Sequence, residues 1–197
     1  MAIIRFAREE DAAAMLAIYV PYVRDTVISF ETEPPTEDEF RRRVRATLEV
    51  APWLLCEARG GVLGYAYAGR FHARRAYQWT VEVTAYVHAH HHREGVGRGL
   101  YTSLLGCLAL QGFRSAVGVI ALPNPASVGL HERMGFVPGG VLRAVGYKHG
   151  RWHDVGWWQL ALCAHDASPA PPRPPGALQE SAEWGRAVEA GLALVRA

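Results

Sequence analysis

The clearest chemical signal in the sequence is a glycine turn, residues 93–98, between an apolar strand end and an amphipathic helix. It consists of Arg93, Glu94, Gly95, Val96, Gly97 and Arg98. Glycine has no Cβ, so successive backbone N–H groups can point together at an anion, and the positive N-terminal end of the helix adds to the attraction. The glycine turn is therefore predicted to bind a pyrophosphate, although a tight structural turn would explain the same residues.

Two common nucleotide-binding motifs do not fit this turn. A dinucleotide-binding turn reads GxGxxG and is followed by an acidic residue about 20 positions later. Here the glycines are spaced GxGxG, and no acidic residue lies between Glu94 and Glu132. A Walker loop needs GxxxxGK followed by Ser or Thr, and the only lysine in the chain is Lys148.

A histidine cluster precedes the turn and consists of His88, His90, His91 and His92. Such a cluster can bind zinc or nickel adventitiously. A catalytic zinc site usually takes ligands from more than one element, with a carboxylate or cysteine among them. We therefore predict no functional metal.

The composition indicates one globular domain. The chain has 197 residues, of which 50% are hydrophobic, which is enough for a substantial core. No apolar run reaches the roughly 20 residues of a membrane helix, and acidic residues near the N-terminus argue against a signal peptide, so a cytoplasmic location is predicted. The net charge of +2 is too close to neutral for a nucleic-acid-binding protein.

Hydrophobic periodicity and turn signals predict the element order β, α, α, β, β, β, α, β, α, β, β up to residue 165. Thr36 is predicted to cap the second helix and Asn124 the fourth. Pro21 falls late in the first helix and is expected to kink or shorten it. Together the elements predict a mixed sheet with helices on its faces, of the α/β or α+β class.

The composition changes after residue 165. Residues 1–165 are predicted to form the domain, and residues 166–177, which hold five prolines, a linker. Residues 178–197 have helical periodicity, and either docking on the domain or a partner subunit or fraying in solution would be consistent with them.

Several segments together resemble the GNAT superfamily of N-acetyltransferases. The family's acetyl-CoA site combines a strand, a turn of the form Gln/Arg-x-x-Gly-x-Gly/Ala, a helix, another strand and an Asn-capped helix ending in Gly-Phe. Residues 3–163 follow this order. TVISFETEP, HARRAYQWTVEVTAYV, GFRSAVGVIALPNPASVGLHERMGF and GYKHGRWHDVGWWQL resemble the branch that acetylates phosphinothricin, methionine sulfoximine and methionine sulfone. The resemblance implies the GNAT fold, a mixed, mostly antiparallel sheet of about six to seven strands flanked by helices.

The resemblance implies that Glu82 is the catalytic base. An amino acid's ammonium group is mostly protonated at pH 7, so attack on a thioester needs a base near the amine. Period-2 alternation places Glu82 on the strand face opposite Val81 and Val83, where burial would raise the pKa of its carboxyl group into a useful range. A structural salt bridge with an arginine is the alternative.

His131 takes the position, seven residues after the Asn cap, at which many superfamily members have a tyrosine that protonates the departing CoA thiolate. A histidine can donate a proton near neutral pH. In the phosphinothricin branch the corresponding histidine is expected to assist the base instead. A packing or surface role is the alternative for a single helical histidine.

The resemblance also assigns the acetyl-CoA contacts. Backbone groups of Tyr86, Val87 and His88 are expected along the pantetheine arm, with the N–H of Val87 near the developing oxyanion, and the glycine turn is expected at the pyrophosphate. His92 takes the position of the family's Gln or Arg. A neutral histidine can still donate a hydrogen bond there, but it supplies no positive charge. Asn124 and Ser127 are expected at the pantetheine arm, although helix capping explains Asn124 equally well.

Arg74 and Tyr77 match the family's substrate-binding arginine and tyrosine, and a guanidinium group suits a substrate carboxylate. A solvent-facing Arg74 is the alternative. Phe30 is expected to wall the side-chain pocket, in its own or the neighbouring subunit, since the branch resemblance implies a homodimer.

The resulting hypothesis is an acetyl-CoA-dependent N-acetyltransferase for a small amino-acid-like substrate, with no metal and with neither nucleic acid nor membrane as a partner. Two alternatives stay open. One is acetylation of a different amine, such as another amino acid, a polyamine or a protein N-terminus. The other is a non-catalytic acyl-CoA sensor.

Overall fold

A seven-stranded sheet forms the centre of the computed structural model, which describes residues 1–196. The strands are β1 Ile3–Phe6, β2 Trp53–Ala58, β3 Gly61–Arg70, β4 Thr80–Val87, β5 Ser115–Leu122, β6 Val137–Lys148 and β7 Arg151–Ala161. Their order in the sheet is β1-β2-β3-β4-β5-β7-β6. Only β4 and β5 are parallel neighbours, so the predicted mixed, mostly antiparallel sheet is confirmed.

Five α-helices flank the sheet within residues 1–196: α1 Ala12–Asp25, α2 Glu37–Leu48, α3 Val96–Gln111, α4 Pro125–Arg133 and α5 Ala182–Glu189. The predicted caps are present. The Thr36 hydroxyl accepts the N–H of Glu39 at 3.2 Å, and Asn124 Oδ1 accepts that of Ser127 at 3.1 Å. Among the helices of residues 1–196, none combines the length and apolar character that a membrane crossing would require.

The first helix does not end at Pro21, and hydrogen bonds before it fix where it begins. Pro21 lies inside α1, which continues to Asp25, so the expected shortening at Pro21 does not occur. At the other end, Arg5 binds the Asp11 carboxylate at 2.8 Å and the N–H of Arg8 donates to it at 2.7 Å. These bonds hold residues 9–11 in a short 3-10 turn, and α1 begins only after it.

The helices cover both faces of the sheet. α1 and α2 pack on one face, where Tyr65 and Tyr86 belong to a buried aromatic cluster. α3 packs on the other face, where Leu100 and Leu104 contact a cluster that includes Val83. Alternation along β4 therefore turns Val83 towards α3 and Glu82 towards the face of α1 and α2.

Strands β4 and β5 pair only over residues 80–82 and 115–117. Beyond them β4 remains paired with β3 as far as Val87, and β5 with β7 as far as Leu122. The two strands therefore diverge after Glu82 and Val117, at a point we call the fork. The gap beyond the fork is bordered by residues 83–87 of β4.

Residues 166–196, which we call the tail, pack on the α3 side of the sheet. Trp184 is 2% exposed and clusters with Cys107 and Leu178. Its ring stacks on Phe6 with centroids 5.8 Å apart. The tail thus docks on the domain, which is one of the three outcomes that the sequence left open.

Candidate active site

Alternate residues of β4 turn their backbone groups into the gap. The N–H of His88 donates to the carbonyl of Leu63 at the end of β3, at 2.8 Å. The alternation of an antiparallel ladder then directs the N–H of Tyr86 to β3 as well, and that of Val87 to the gap. Of the three backbone positions expected at a pantetheine arm, only Val87 offers its N–H to the gap.

Two tyrosine hydroxyl groups lie close to carbonyl groups of β4 that face the gap, which agrees with this orientation. The hydroxyl oxygen of Tyr101 in α3 lies 3.4 Å from the carbonyl oxygen of Val83. Tyr22 of α1 donates to the carbonyl of Val87 at 2.6 Å. The gap is therefore lined by backbone polar groups of β4 and is approached by hydroxyl groups from both sides of the sheet.

Glu82 lies at the fork, beside Gly69 of β3 and Val117 of β5. Its side chain is half-buried, and within residues 1–196 it forms no ion pair with a lysine or arginine. Burial raises the pKa of the Glu82 carboxyl group, and the Coulomb interaction with nearby His72 opposes part of that rise. These surroundings suit a proton acceptor better than a structural salt bridge.

The glycine turn leaves its amides free. Arg93 and Gly95 have φ angles of 67° and 84°, in the left-handed region that glycine adopts without strain. The N–H groups of residues 93–98 donate to no acceptor in residues 1–196. Because α3 begins at Val96, they lie at its positive end. The turn thus has the clustered, unpaired donors that an anion site requires.

The glycine turn also lies next to the gap. A Cβ on Gly97 would stand 3.6 Å from Cγ2 of Val87 and 3.4 Å from Cδ2 of Leu130 in α4. The amides of the turn and the backbone of β4 therefore border one continuous region. The exposed side chains of Arg93 and Arg98 add positive charge to its edge.

His92 connects the glycine turn to β4. Its Nε2 lies 3.2 Å from the carbonyl of Val87 and 3.1 Å from the Tyr22 hydroxyl. Since a carbonyl only accepts, Nε2 carries the proton and is used within the chain. The neighbouring His91 binds the Glu94 carboxylate through Nδ1 at 2.8 Å. In this structure the His92 side chain therefore links the turn to β4 and is not free to donate a hydrogen bond to an anion.

His131 is buried on the α3 side of the fork. Its Nδ1–H donates to the carbonyl of Ser127 at 2.8 Å, which leaves Nε2 to accept from the Tyr101 hydroxyl at 3.2 Å. Burial lowers the pKa of His131 and so favours this neutral form. The ring lies directly over Gly118 of β5, where any Cβ would overlap it. Asn124 and Ser127 serve this arrangement by capping α4 and orienting His131.

Phe30 is held within its own chain. Its ring occupies the space that a Cβ on Gly146 would fill, and its centroid lies 6.2 Å from that of His153. The buried Lys148 fixes the loop by donating to the carbonyls of Val23 at 2.6 Å and Ser29 at 2.7 Å. No neighbouring subunit is needed to position Phe30.

Arg74 and Tyr77 are exposed, on a short connection before β4. Both line a cavity of about 680 Å³ whose wall includes Val81 and Phe113 but not Glu82. Tyr77 still approaches the fork indirectly, because its ring centroid lies 5.0 Å from that of His72. The structure therefore brings Arg74 and Tyr77 together without bringing Arg74 to Glu82.

Comparison with known protein families identifies the family of the chain. Residues 4–157 match the family described as acetyltransferase (GNAT) domain. The chain belongs to the GNAT acetyltransferase family. It is an N-acetyltransferase that uses acetyl-CoA, and the resemblance drawn from the sequence is confirmed.

Relatives of this GNAT acetyltransferase point to one branch. A phosphinothricin N-acetyltransferase from Streptomyces viridochromogenes is 48% identical over 171 residues, which cover 87% of this chain and 91% of the relative. An L-methionine sulfoximine/L-methionine sulfone acetyltransferase from Salmonella typhimurium is 34% identical, covering 85% and 98%. The crystal structure of a phosphinothricin acetyltransferase from Sinorhizobium meliloti in complex with acetyl-CoA aligns with a TM-score of 0.82 at 34% identity, covering 86% and 93%.

The structure adds four residues to the candidate site that sequence reasoning missed, namely Tyr22, His72, Tyr101 and Gly118. The two tyrosines lie at helix positions for which hydrophobic periodicity predicts only a buried side chain. The approach of His72 to Glu82 and of His131 to Gly118 depends on tertiary packing. An aromatic hydroxyl in the otherwise leucine-rich α3 was the one available signal for Tyr101.

The histidine cluster forms no metal site in the part of the chain that the structure describes. His88 Nδ1 accepts the N–H of His90 at 3.3 Å, while His91 and His92 bind the partners given above. Across residues 1–196 no three potential ligand side chains converge on a point.

Proposed function

We propose that this GNAT acetyltransferase transfers the acetyl group of acetyl-CoA to the amino group of phosphinothricin, methionine sulfoximine, methionine sulfone or a similar small amino acid. The observation that carries the proposal is the position of Glu82, half-buried and without a cationic partner, where β4 and β5 part. The substrate class rests on the relatives' activities and on identity as high as 48%.

The gap and the glycine turn carry polar groups that suit acetyl-CoA. The unpaired amides of residues 93–98 suit its diphosphate, and the inward-facing backbone of Val87 suits the amides of its pantetheine arm. When bound there, acetyl-CoA supplies a thioester carbonyl that an amine can attack. The N–H of Val87 is oriented to stabilise negative charge on that carbonyl oxygen.

Glu82 acts as the general base. It takes a proton from the substrate ammonium, which is otherwise mostly charged at pH 7. Burial helps because a raised pKa brings the carboxylate closer to the pKa of the amine, which eases the transfer.

His131 and Tyr101 act as a pair on the other side of the fork. Burial keeps His131 neutral and raises the pKa of the Tyr101 hydroxyl. The hydroxyl therefore stays protonated and is the donor, while His131 Nε2 accepts. We assign His131 the part of orienting this hydroxyl at the gap, which differs from direct protonation of the thiolate.

Arg74 and Tyr77 bind the substrate carboxylate in this proposal. The side chain of Arg74 is exposed, so its guanidinium group is available to a ligand. Phe30 walls the side-chain pocket from a loop that Lys148 holds in place.

A cytoplasmic location stays a prediction.

The homodimer is also part of the proposal. It is supported by a band of exposed apolar side chains on and beside β6, the edge strand of the sheet, and solution mass by light scattering tests it. The band comprises Val137, Val141, Leu142, Val145, Tyr147 and Trp152.

A panel of amines assayed with acetyl-CoA by thiol release tests the function. We expect phosphinothricin and methionine sulfoximine to be acetylated with kcat/KM at least about tenfold above ordinary amino acids and polyamines. Equal rates for polyamines would contradict the substrate class. If the parent protein and Glu82→Gln both bind acetyl-CoA and neither acetylates any amine, the chain is a sensor.

A further inference from the structure

The tail follows α3 from one end to the other and reaches the glycine turn. Near the end of α3, the side-chain amide of Gln111 donates to the carbonyl of Arg173 at 2.7 Å, and the N–H of Arg173 donates to the carbonyl of Gln111 at 2.8 Å. Near its start, the N–H of Arg196 donates to the carbonyl of Glu94 at 2.8 Å. The tail lies outside residues 4–157, which match the GNAT domain.

Residues 191–196 approach the turn so closely that only glycine fits. A Cβ on Gly191 would overlap the carbonyl oxygen of Gly99, and a Cβ on Gly95 would overlap that of Leu194. The N–H of Gly191 donates to the Ser103 hydroxyl at 3.1 Å. Two backbones therefore lie in direct contact where the coenzyme diphosphate is expected.

The direction of the hydrogen bonds shows which groups the tail uses. Arg196 donates to a carbonyl of the turn, and no tail atom in residues 166–196 accepts from the N–H groups of residues 93–98. The tail thus engages the turn through its carbonyl side and leaves the amides available. An occupant of the anion site would instead accept from those amides.

We propose that residues 190–196 are a positioning segment that holds the glycine turn in its coenzyme-binding conformation. The inference rests on the proposed function, since it assumes that the turn binds the diphosphate. Gly95 has a left-handed φ of 84°, a conformation that a free chain adopts only part of the time. A turn already ordered by the tail spares the coenzyme that ordering cost on binding.

One pair of variants isolates a single hydrogen bond. Arg196→Pro removes the N–H that donates to Glu94, whereas Arg196→Ala keeps it. The preceding Val195 already has φ −85° and ψ 129°, the conformation that a residue takes before proline. The proline therefore removes the donor without straining the residue before it.

A second pair tests the backbone contact. Gly191→Ala introduces a Cβ that overlaps Gly99, whereas Gly185→Ala in α5 adds one in open space. Gly191 has φ −82° and ψ −10°, which alanine adopts readily. In the contacts that the new Cβ makes, the two substitutions therefore differ by the overlap with α3.

The full-length variants are compared by calorimetric titration with acetyl-CoA and by steady-state kinetics, after circular dichroism has shown that each is folded. Arg196→Pro and Gly191→Ala should each weaken acetyl-CoA binding by about tenfold, the cost of ordering roughly one residue. Their KM for acetyl-CoA should rise, with kcat and the KM for the amine within about twofold of the parent. Arg196→Ala and Gly185→Ala should match the parent. If Gly191→Ala does not fold, the Arg196 pair decides alone.

Three outcomes would overturn the inference. Unchanged affinity in Arg196→Pro would mean that the tail is a passive cover, and tighter binding would mean that it competes with the coenzyme. An equal loss in Arg196→Ala would assign the effect to the side chain. A parent protein that binds no acetyl-CoA would refute the proposed function itself, which is a separate result.

Discussion

Glu82 determines how the reaction rate should depend on pH. The carboxylate form is the working base, and burial raises its pKa above the ordinary carboxyl value. We therefore expect kcat/KM to rise with pH through that raised pKa and then to level off. Glu82→Gln should lower kcat by roughly 10²–10⁴-fold and remove this rise, because the amide cannot accept the proton. Rates measured between pH 5 and pH 9 in both proteins check this.

The control for Glu82→Gln is Glu57→Gln, on β2. Glu57 is paired with Arg5 at 2.8 Å and has no part in the proposed site, so its loss should leave kcat unchanged. Thermal unfolding should also show Glu82→Gln to be as stable as the parent, because a buried charge is removed and no ion pair is broken. A Glu82→Gln enzyme with full activity would refute the base.

Lys148 contributes to stability through the loop that carries Phe30. Its buried ammonium group donates to the carbonyls of Val23 and Ser29. Lys148→Met would leave both carbonyls without a donor, so the free energy of unfolding should fall by about 1–3 kcal/mol. Urea denaturation measures this. Arg151→Met, at the exposed cross-strand neighbour, should change stability by less than about 0.5 kcal/mol, and equal losses in the two variants would contradict the role of Lys148.

Individual elements were predictable from the sequence where local spacing determines them. Period-2 alternation located β4 and assigned Glu82 to its face, and the caps at Thr36 and Asn124 marked where two helices begin. Each of these features depends on residues a few positions apart.

Features made by residues distant in sequence were not predictable in this way. Tyr101 and His131 are 30 residues apart, and Tyr22 lies 65 residues from Val87. The contact between the His92 ring and the Tyr22 hydroxyl likewise exists only after α1 has packed beside β4. The same holds for the fork, whose position depends on where β5 leaves β4 to follow β7.

The crossing of α4 over β5 should be sensitive to a single methyl group. Gly118→Ala would place a Cβ inside the His131 ring, so the ring must move and the bond from Tyr101 must break. We expect kcat to fall by at least about tenfold, with a stability loss of about 1–3 kcal/mol from overpacking. Kinetics and thermal unfolding check this against Gly129→Ala in α4, where a Cβ meets open space. Full activity in Gly118→Ala would show that the position of His131 is unimportant.

The tail contributes side chains to the hydrophobic core of the molecule. We therefore expect the domain and the tail to unfold together. Trp184 is among the largest of the side chains that are almost fully buried, and it packs on Phe6 and Cys107 from outside the GNAT domain. Trp184→Ala should therefore lower the stability of the entire protein by about 3–5 kcal/mol. For a chain of this size the loss corresponds to a fall in Tm of about 10 °C.

Calorimetry with limited proteolysis distinguishes this outcome from a tail that melts by itself. In the cooperative case, Trp184→Ala shows one transition at lower temperature, and protease cleaves tail and domain at similar rates. In the independent case, the main transition stays in place and protease removes residues 166–196 first. Glu183→Ala on the exposed side of α5 is the control, because its ion pair with Arg186 is largely solvated and worth little. An unshifted main transition in Trp184→Ala would contradict the cooperative unit, since a core that includes this indole cannot lose it without cost.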